Sequence, residues 1–266
     1  MLDHEKDIQE ILSHRYDDGA EFWTMKAPFS MIESISYLLD LGISAKNEVL
    51  EDCAVFILSC QKEDGRIKLQ ISTSYPCHTA IALNTLCKLG YSDNKRLEKT
   101  FQYFLDTQEE DGGWKCNKYS FGRGPETNYS TPHTTLVALD AFRYTDLLNN
   151  NEQLDKAVEF LLKHWEIKKP ISPCHYGIGK LFMQVQYPFR DSYNIFNYLY
   201  VLSFYDVAKK DKRFNEMLDI LKSKTVDNQI IVERVVPKLA KLTFCKKGEP
   251  SVFATKKYEE LLDNLK

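Results

Sequence analysis

The sequence predicts an all-α fold, about ten to twelve helices paired as hairpins and arranged in two concentric rings. Three observations predict it: a turn motif that recurs at a fixed period, a one-sided apolar stripe ahead of each copy, and intervening runs that are apolar nearly all round. Leu58-x-x-Gln61-x-x-Asp64-Gly65-Arg66-Ile67 aligns with Leu105-x-x-Gln108-x-x-Asp111-Gly112-Gly113-Trp114, a period of about 47 residues. A fainter copy ends at Asp18-Gly19, and another, Asp227-Asn228-Gln229-Ile230, follows a helical run late in the chain.

The stripes come first in each unit. Leu50, Ala54, Ile57 and Leu58 share one helical face, as do Leu97, Phe101, Phe104 and Leu105, then Leu154, Val158, Leu161 and Leu162. Such spacing marks a helix with its other face in water, so these are the outer helices. Between them lie Ala80 through Cys87, Leu136 through Leu139, and Ile195 through Tyr205, which must be buried on most sides. Six prolines stand ahead of the inner helices: Pro28, Pro76, Pro132, Pro173, Pro188 and Pro250. A first-turn proline loses no hydrogen bond, because its missing N–H has no partner there in any case. Asp-Gly and Asp-Asn supply the turns after the outer helices, where positive φ is needed. An open stack would leave one side of the all-apolar helices wet, so the expected array closes on itself.

Composition bounds the rest. A chain of 266 residues with 43% hydrophobic and 27% charged residues has material for a sizeable core, and a single domain over 1–266 is expected. Lys and Arg number 35 against 38 Asp and Glu, a net charge of −3, which disfavours a nucleic-acid or anionic-membrane partner. The amino-terminal stretch is charged from Asp3 and lacks an apolar signal core, so a cytoplasmic location is expected. Leu69 to Cys87 carries no charge but holds Pro76 and many polar residues, so no membrane span is expected. Seven cysteines, an odd count in a chain of this size, suggest thiols or metal-bound thiolates.

Gln108 to Trp114, with its weaker copy at Gln61 to Ile67, resembles the Q-x-x-D-G-G-W repeat of squalene and terpene cyclases and protein prenyltransferase β subunits. The resemblance implies an α/α toroid whose central cavity holds an isoprenoid. It transfers no activity by itself. The Asp-x-Asp-Asp string with which class II cyclases protonate their substrate is absent, as is the Asp-x-Cys zinc pair of the prenyltransferases; Asp52-Cys53 falls on an outer helix. His133 is similar to the prenyltransferase histidine, and Cys174-His175-Tyr176-Gly177 resembles the Cys-His pair of the lanthipeptide cyclases.

Three histidines stand where inner helices are expected to open, in Pro76-Cys77-His78, Pro132-His133 and Pro173-Cys174-His175. In a ring, inner helices run the same way and their first turns meet at one mouth. Cys77, His78, His133, Cys174 and His175, joined by Cys116, are therefore the candidate ligands of a zinc ion, which takes three or four such groups at ~2.0–2.3 Å. Each is also a common buried or capping residue. Cys77 and Cys174 are alternatively reactive thiols, because a helix N-terminus lowers thiol pKa. The same first turns favour an anion such as a diphosphate, with Arg123, Arg190, Lys115 and Lys180 as candidate cations. Tyr75, Tyr129, Tyr193 and Phe196, with Phe29 and Phe189, either line the cavity or form core. Asp191 is the candidate acid, with Glu126 behind it. The expected function is a prenyltransferase- or terpene-cyclase-like enzyme on a hydrophobic isoprenoid substrate, a prenyl diphosphate among the candidates, with Cys77, Cys174 and Asp191 in catalysis; a partner subunit is left open. The alternatives are a non-catalytic toroid serving as a binding module, or a zinc and thiol peptide-modifying enzyme resembling the lanthipeptide cyclases.

Overall fold

The computed structural model describes residues 4–16, 30–69, 75–116, 128–172, 174, 176–189 and 193–266. Helices dominate them: α1 (Glu5–Ser13), α2 (Met31–Asp40), α3 (Glu48–Ser59), α4 (Pro76–Lys88), α5 (Lys95–Asp106), α6 (Pro132–Phe142), α7 (Glu152–Ile167), α8 (Ile195–Leu202), the short α9 (Asp206–Lys209), α10 (Lys212–Lys222) and α11 (Val252–Asp263). One small hairpin joins β1 (Thr225–Val226) to β2 (Gln229–Ile230), and its turn residues Asp227 and Asn228 both take positive φ.

Local chemistry starts each helix. Asn47, Asn94, Asn151 and Asp211 accept a hydrogen bond from the second backbone N–H of α3, α5, α7 and α10, and Ser30 with Glu33 forms a reciprocal cap on α2. Pro76 and Pro132 are the first residues of α4 and α6, as expected. Burial follows the two kinds of apolar pattern. Every residue of α8 is buried, whereas α5 buries only Leu97, Thr100, Phe101 and Phe104. Helices α2, α4, α6, α8 and α11 pack in succession, each on the next, with α3 and α5 against α4 and α7 against α6. The chain's two ends also meet. His4 lies edge-on to Phe253 at 4.9 Å, and the buried Asp7 carboxylate accepts hydrogen bonds from the backbone of Thr243 and Phe244.

The two strong copies of the turn motif make the same bonds. The Gln61 amide donates to the Arg96 carbonyl at 2.6 Å, and the Gln108 amide donates to the Gln153 carbonyl at 2.6 Å, each clasping the next outer helix. Asp64 and Asp111 accept from the backbone two residues on, and Gly65 and Gly112 take φ of +86° and +91°. Ile67 and Trp114 donate their backbone N–H to Thr79 and Thr135, one turn into α4 and α6.

Three expectations about helix starts are corrected. Cys174 does not open a helix: Ile171 and Tyr176 pair across a tight turn in which Ser172 has φ of +65°. Gly177 and Gly179 follow it, and each costs a helix about 1 kcal/mol, so no helix can be seeded there. Pro188 sits after a cis bond from Tyr187, well before α8. That helix begins at Ile195 under an Asn194 cap, so Asp191 is not its opening residue. Pro28, Pro173 and the Asp18-Gly19 copy lie outside the described residues. Among the described residues no helix is long and apolar enough to cross a membrane.

Candidate functional site

Two of the predicted thiols meet. Cys77, in the first turn of α4, has its Sγ 3.1 Å from Cys116 Sγ. The Cys116 end is held by a clip: its backbone N–H donates to Thr131 Oγ1 at 3.1 Å, while Thr131 N–H donates to the Trp114 carbonyl at 2.9 Å. Trp114 is itself anchored by an indole N–H bond to the Phe104 carbonyl at 2.7 Å. The sulfur–sulfur hydrogen bond, with burial behind it, pushes the Cys77 thiol well above its ordinary value, and the charge of Cys174 adds to the effect. Among the described residues no cysteine is disulfide-bonded.

Two thiolates on a tetrahedral zinc at ~2.3 Å stand about 3.8 Å apart. Among the described residues no three His, Cys, Asp or Glu side chains are grouped so as to hold a metal ion. The His133 ring, 5% exposed, stacks on Tyr176 at 5.3 Å and 12°. His78 lies edge-on to the half-buried Tyr75 at 5.3 Å. His175, Arg123, Glu126, Arg190, Asp191 and Phe29 lie outside the described residues.

The other candidates separate. Tyr193 belongs to a buried aromatic network: it meets Tyr176 edge-on and donates its hydroxyl to His164 Nδ1 at 2.7 Å. Because the Lys169 carbonyl can only accept, His164 Nε2–H donates to it, and burial lowers the imidazole to about 4. Phe196 has no exposed surface and packs on Phe189 at 4.7 Å, as core. Tyr129 is exposed, Lys115 pairs with Glu109 at 2.9 Å, and Lys180 is exposed.

A cavity of about 60 Å³ lies between α2, α4, α6 and α8, lined by Glu33, Asn84, Lys88, Asp140, Asn197 and Phe189 among others. Its lining is mixed, with Ile35, Leu39, Ile81, Leu136 and Val201 on the apolar side. At its end Asp140 accepts from Arg143 at 2.6 Å and pairs with Lys88 at 3.1 Å. Burial opposes that charge, yet the two cations hold the Asp140 carboxyl well below the usual carboxylate range. Nearby Tyr187 donates to Asp40 at 2.8 Å, and burial raises the Asp40 carboxyl. This polar group was missed from sequence. Its signal was there, a charged Asp140 inside the otherwise apolar α6 and Asn84 inside α4. A larger cleft, about 380 Å³, lies against Pro76, Tyr103, Thr107, Gln108, Trp114 and Lys115, and so beside the chain neighbours of both thiols.

With that geometry in hand, similarity to known proteins is limited. The chain is 29% identical over 113 residues to the squalene-hopene cyclase of Alicyclobacillus acidocaldarius subsp. acidocaldarius, a stretch that is 42% of this chain and 16% of the cyclase. No family model matches. The match, with the mostly helical fold, gives distant support for a terpene-cyclase-like kind.

Proposed function

We propose that the chain is a single α/α toroid of terpene-cyclase-like ancestry that works through thiol chemistry at one mouth, a thiol enzyme whose substrate sits in the cleft beside Pro76 and Lys115. The succession of packed inner helices and the meeting of residues 4–7 with 243–253 support the closed ring. The observation that carries the function is the approach of Cys77 to Cys116, whose chain neighbours Pro76 and Lys115 line an open cleft. Native alkylation with iodoacetamide and peptide mapping tests it. With alkylation run at alkaline pH, because the Cys77 thiol is raised, label is expected on the half-buried Cys77 and Cys174 ahead of the buried Cys53, Cys87 and Cys245; labelling confined to other cysteines overturns it.

A second reading, a zinc-assisted prenyltransferase or cyclase, is favoured by the squalene-hopene cyclase match and by Gln108 to Trp114. Cys77 and Cys116 would then supply two ligands. About one zinc per purified chain, lost in Cys77→Ser, together with saturable binding of farnesyl diphosphate, selects this reading. Neither result leaves the thiol reading in place.

A further inference from the structure

Resting on the reading of this mouth as a thiol site, we infer that Cys77 and Cys116 are a thiol–disulfide exchange pair that takes a low-molecular-weight disulfide as its co-substrate and closes an intramolecular bond.

Two sulfurs at 3.1 Å need to approach by only about 1 Å to reach the ~2.05 Å of a disulfide, but must spread by about 0.7 Å to straddle a zinc ion. The pair is thus nearer in kind to a dithiol than to a metal bite. Both ends are held in register. Cys77 is fixed by the first turn of α4, and Cys116 by the Thr131 and Trp114 clip. Sequence separation is long, so closing the bond links α4 to the segment leading into α6, elements that already pack on each other.

Exposure sets the order of events. Cys77 is half-buried and Cys116 is 5% exposed, so a small disulfide R–S–S–R meets Cys77 first. The Cys77 thiol must first pass its proton to a base in solution, a step that its raised value makes slow at neutral pH and faster in alkali; the thiolate so formed attacks one sulfur of R–S–S–R, the S–S bond breaks and R–S⁻ leaves to take a proton. Cys116 then loses its own proton and attacks the Cys77 sulfur of the mixed disulfide, expelling the second R–S⁻, which is protonated in turn. Two protein thiols are oxidised by two electrons, and one R–S–S–R is reduced to two R–SH.

The full chain, reduced and then exposed to oxidised glutathione, is read by intact mass and by non-reducing peptide mapping. The wild type is expected to become two hydrogen masses lighter, with a Cys77–Cys116 crosslink and no retained glutathione. Cys116→Ser is expected to hold one glutathione on Cys77. A stable glutathione adduct on the wild type, a crosslink through Cys174, or no reaction overturns the inference. The wild-type map needs no variant, so a variant that fails to fold does not remove the test. Because iodoacetamide labels accessible thiols whether or not the pair closes, loss of the exchange alone leaves the thiol site standing, and loss of both removes it.

Discussion

Replacing Gly112 by alanine tests whether the recurrent turn is a clasp between outer helices or a passive loop. Gly112 has φ of +91°, and a Cβ there would stand 2.4 Å from the Lys156 carbonyl oxygen and 2.8 Å from its carbon. Gly90, at φ +84° with nothing within 4 Å, is the matched control. In the control, alanine carries only the left-handed penalty of about 1–2 kcal/mol, less roughly 0.4–1 kcal/mol gained by stiffening the unfolded chain. At Gly112 the turn must also recede from α7 by about 1 Å to restore ordinary contact. That movement stretches the bonds of the Gln108 amide to Gln153 and Gly112, at 2.6 and 2.7 Å, and of the Gln153 amide to Leu105, at 3.0 Å. At about 1 kcal/mol per hydrogen bond, Gly112→Ala should cost roughly 2–3 kcal/mol more than Gly90→Ala. Urea unfolding followed by circular dichroism reads the difference as a lower midpoint at unchanged slope. Should the two variants fall within about 1 kcal/mol of each other, the clasp argument is wrong. Gly65, whose Cβ would stand 2.2 Å from the Lys99 carbonyl oxygen, should behave as Gly112 does.

Acid should weaken the fold through His164, because the unfolded chain takes a proton near 6.5 and the folded chain only near about 4. Between those values the unfolded state holds the extra proton, so stability falls as pH drops, by about 3 kcal/mol in all; His164→Gln should flatten that part of a stability-against-pH curve. Asp140→Asn leaves the Arg143 guanidinium and the Lys88 ammonium without their shared carboxylate and should cost about 3–5 kcal/mol by urea titration. An outcome under about 1 kcal/mol would mean that water already screens that cluster. Asn84 is 5% exposed and among the described residues its amide nitrogen has no hydrogen-bond partner, so Asn84→Leu should be neutral or raise the melting temperature slightly. A clear drop in melting temperature would instead show that the amide is satisfied within the cavity.

Most of the secondary structure was legible because it is written locally. Leu97, Phe101 and Phe104 announce α5 by their spacing, and all three are buried. Pro76 and Pro132 announce α4 and α6, since proline at a first turn is a local matter. The third proline-led segment misled, because Gly177 and Gly179 outweigh the resemblance of Pro173-Cys174-His175 to the other two. The site was legible in part. Cys116 was expected to join Cys77 because it follows the motif's tryptophan into the same mouth, whereas His133 was drawn instead into a ring stack with Tyr176.

Read alone, the chain determined its helix class, its turn positions and which helices must be enclosed, because backbone preference and apolar period are properties of a few neighbouring residues. Only the tertiary structure decided that Thr131 pins Cys116 against α4, that Lys88 and Arg143 hold Asp140 charged at the end of a cavity of mixed lining, and that residues near the two ends of the chain meet. Each of these depends on side chains far apart in sequence whose distance is set by how helices stack, and no local pattern encodes that distance.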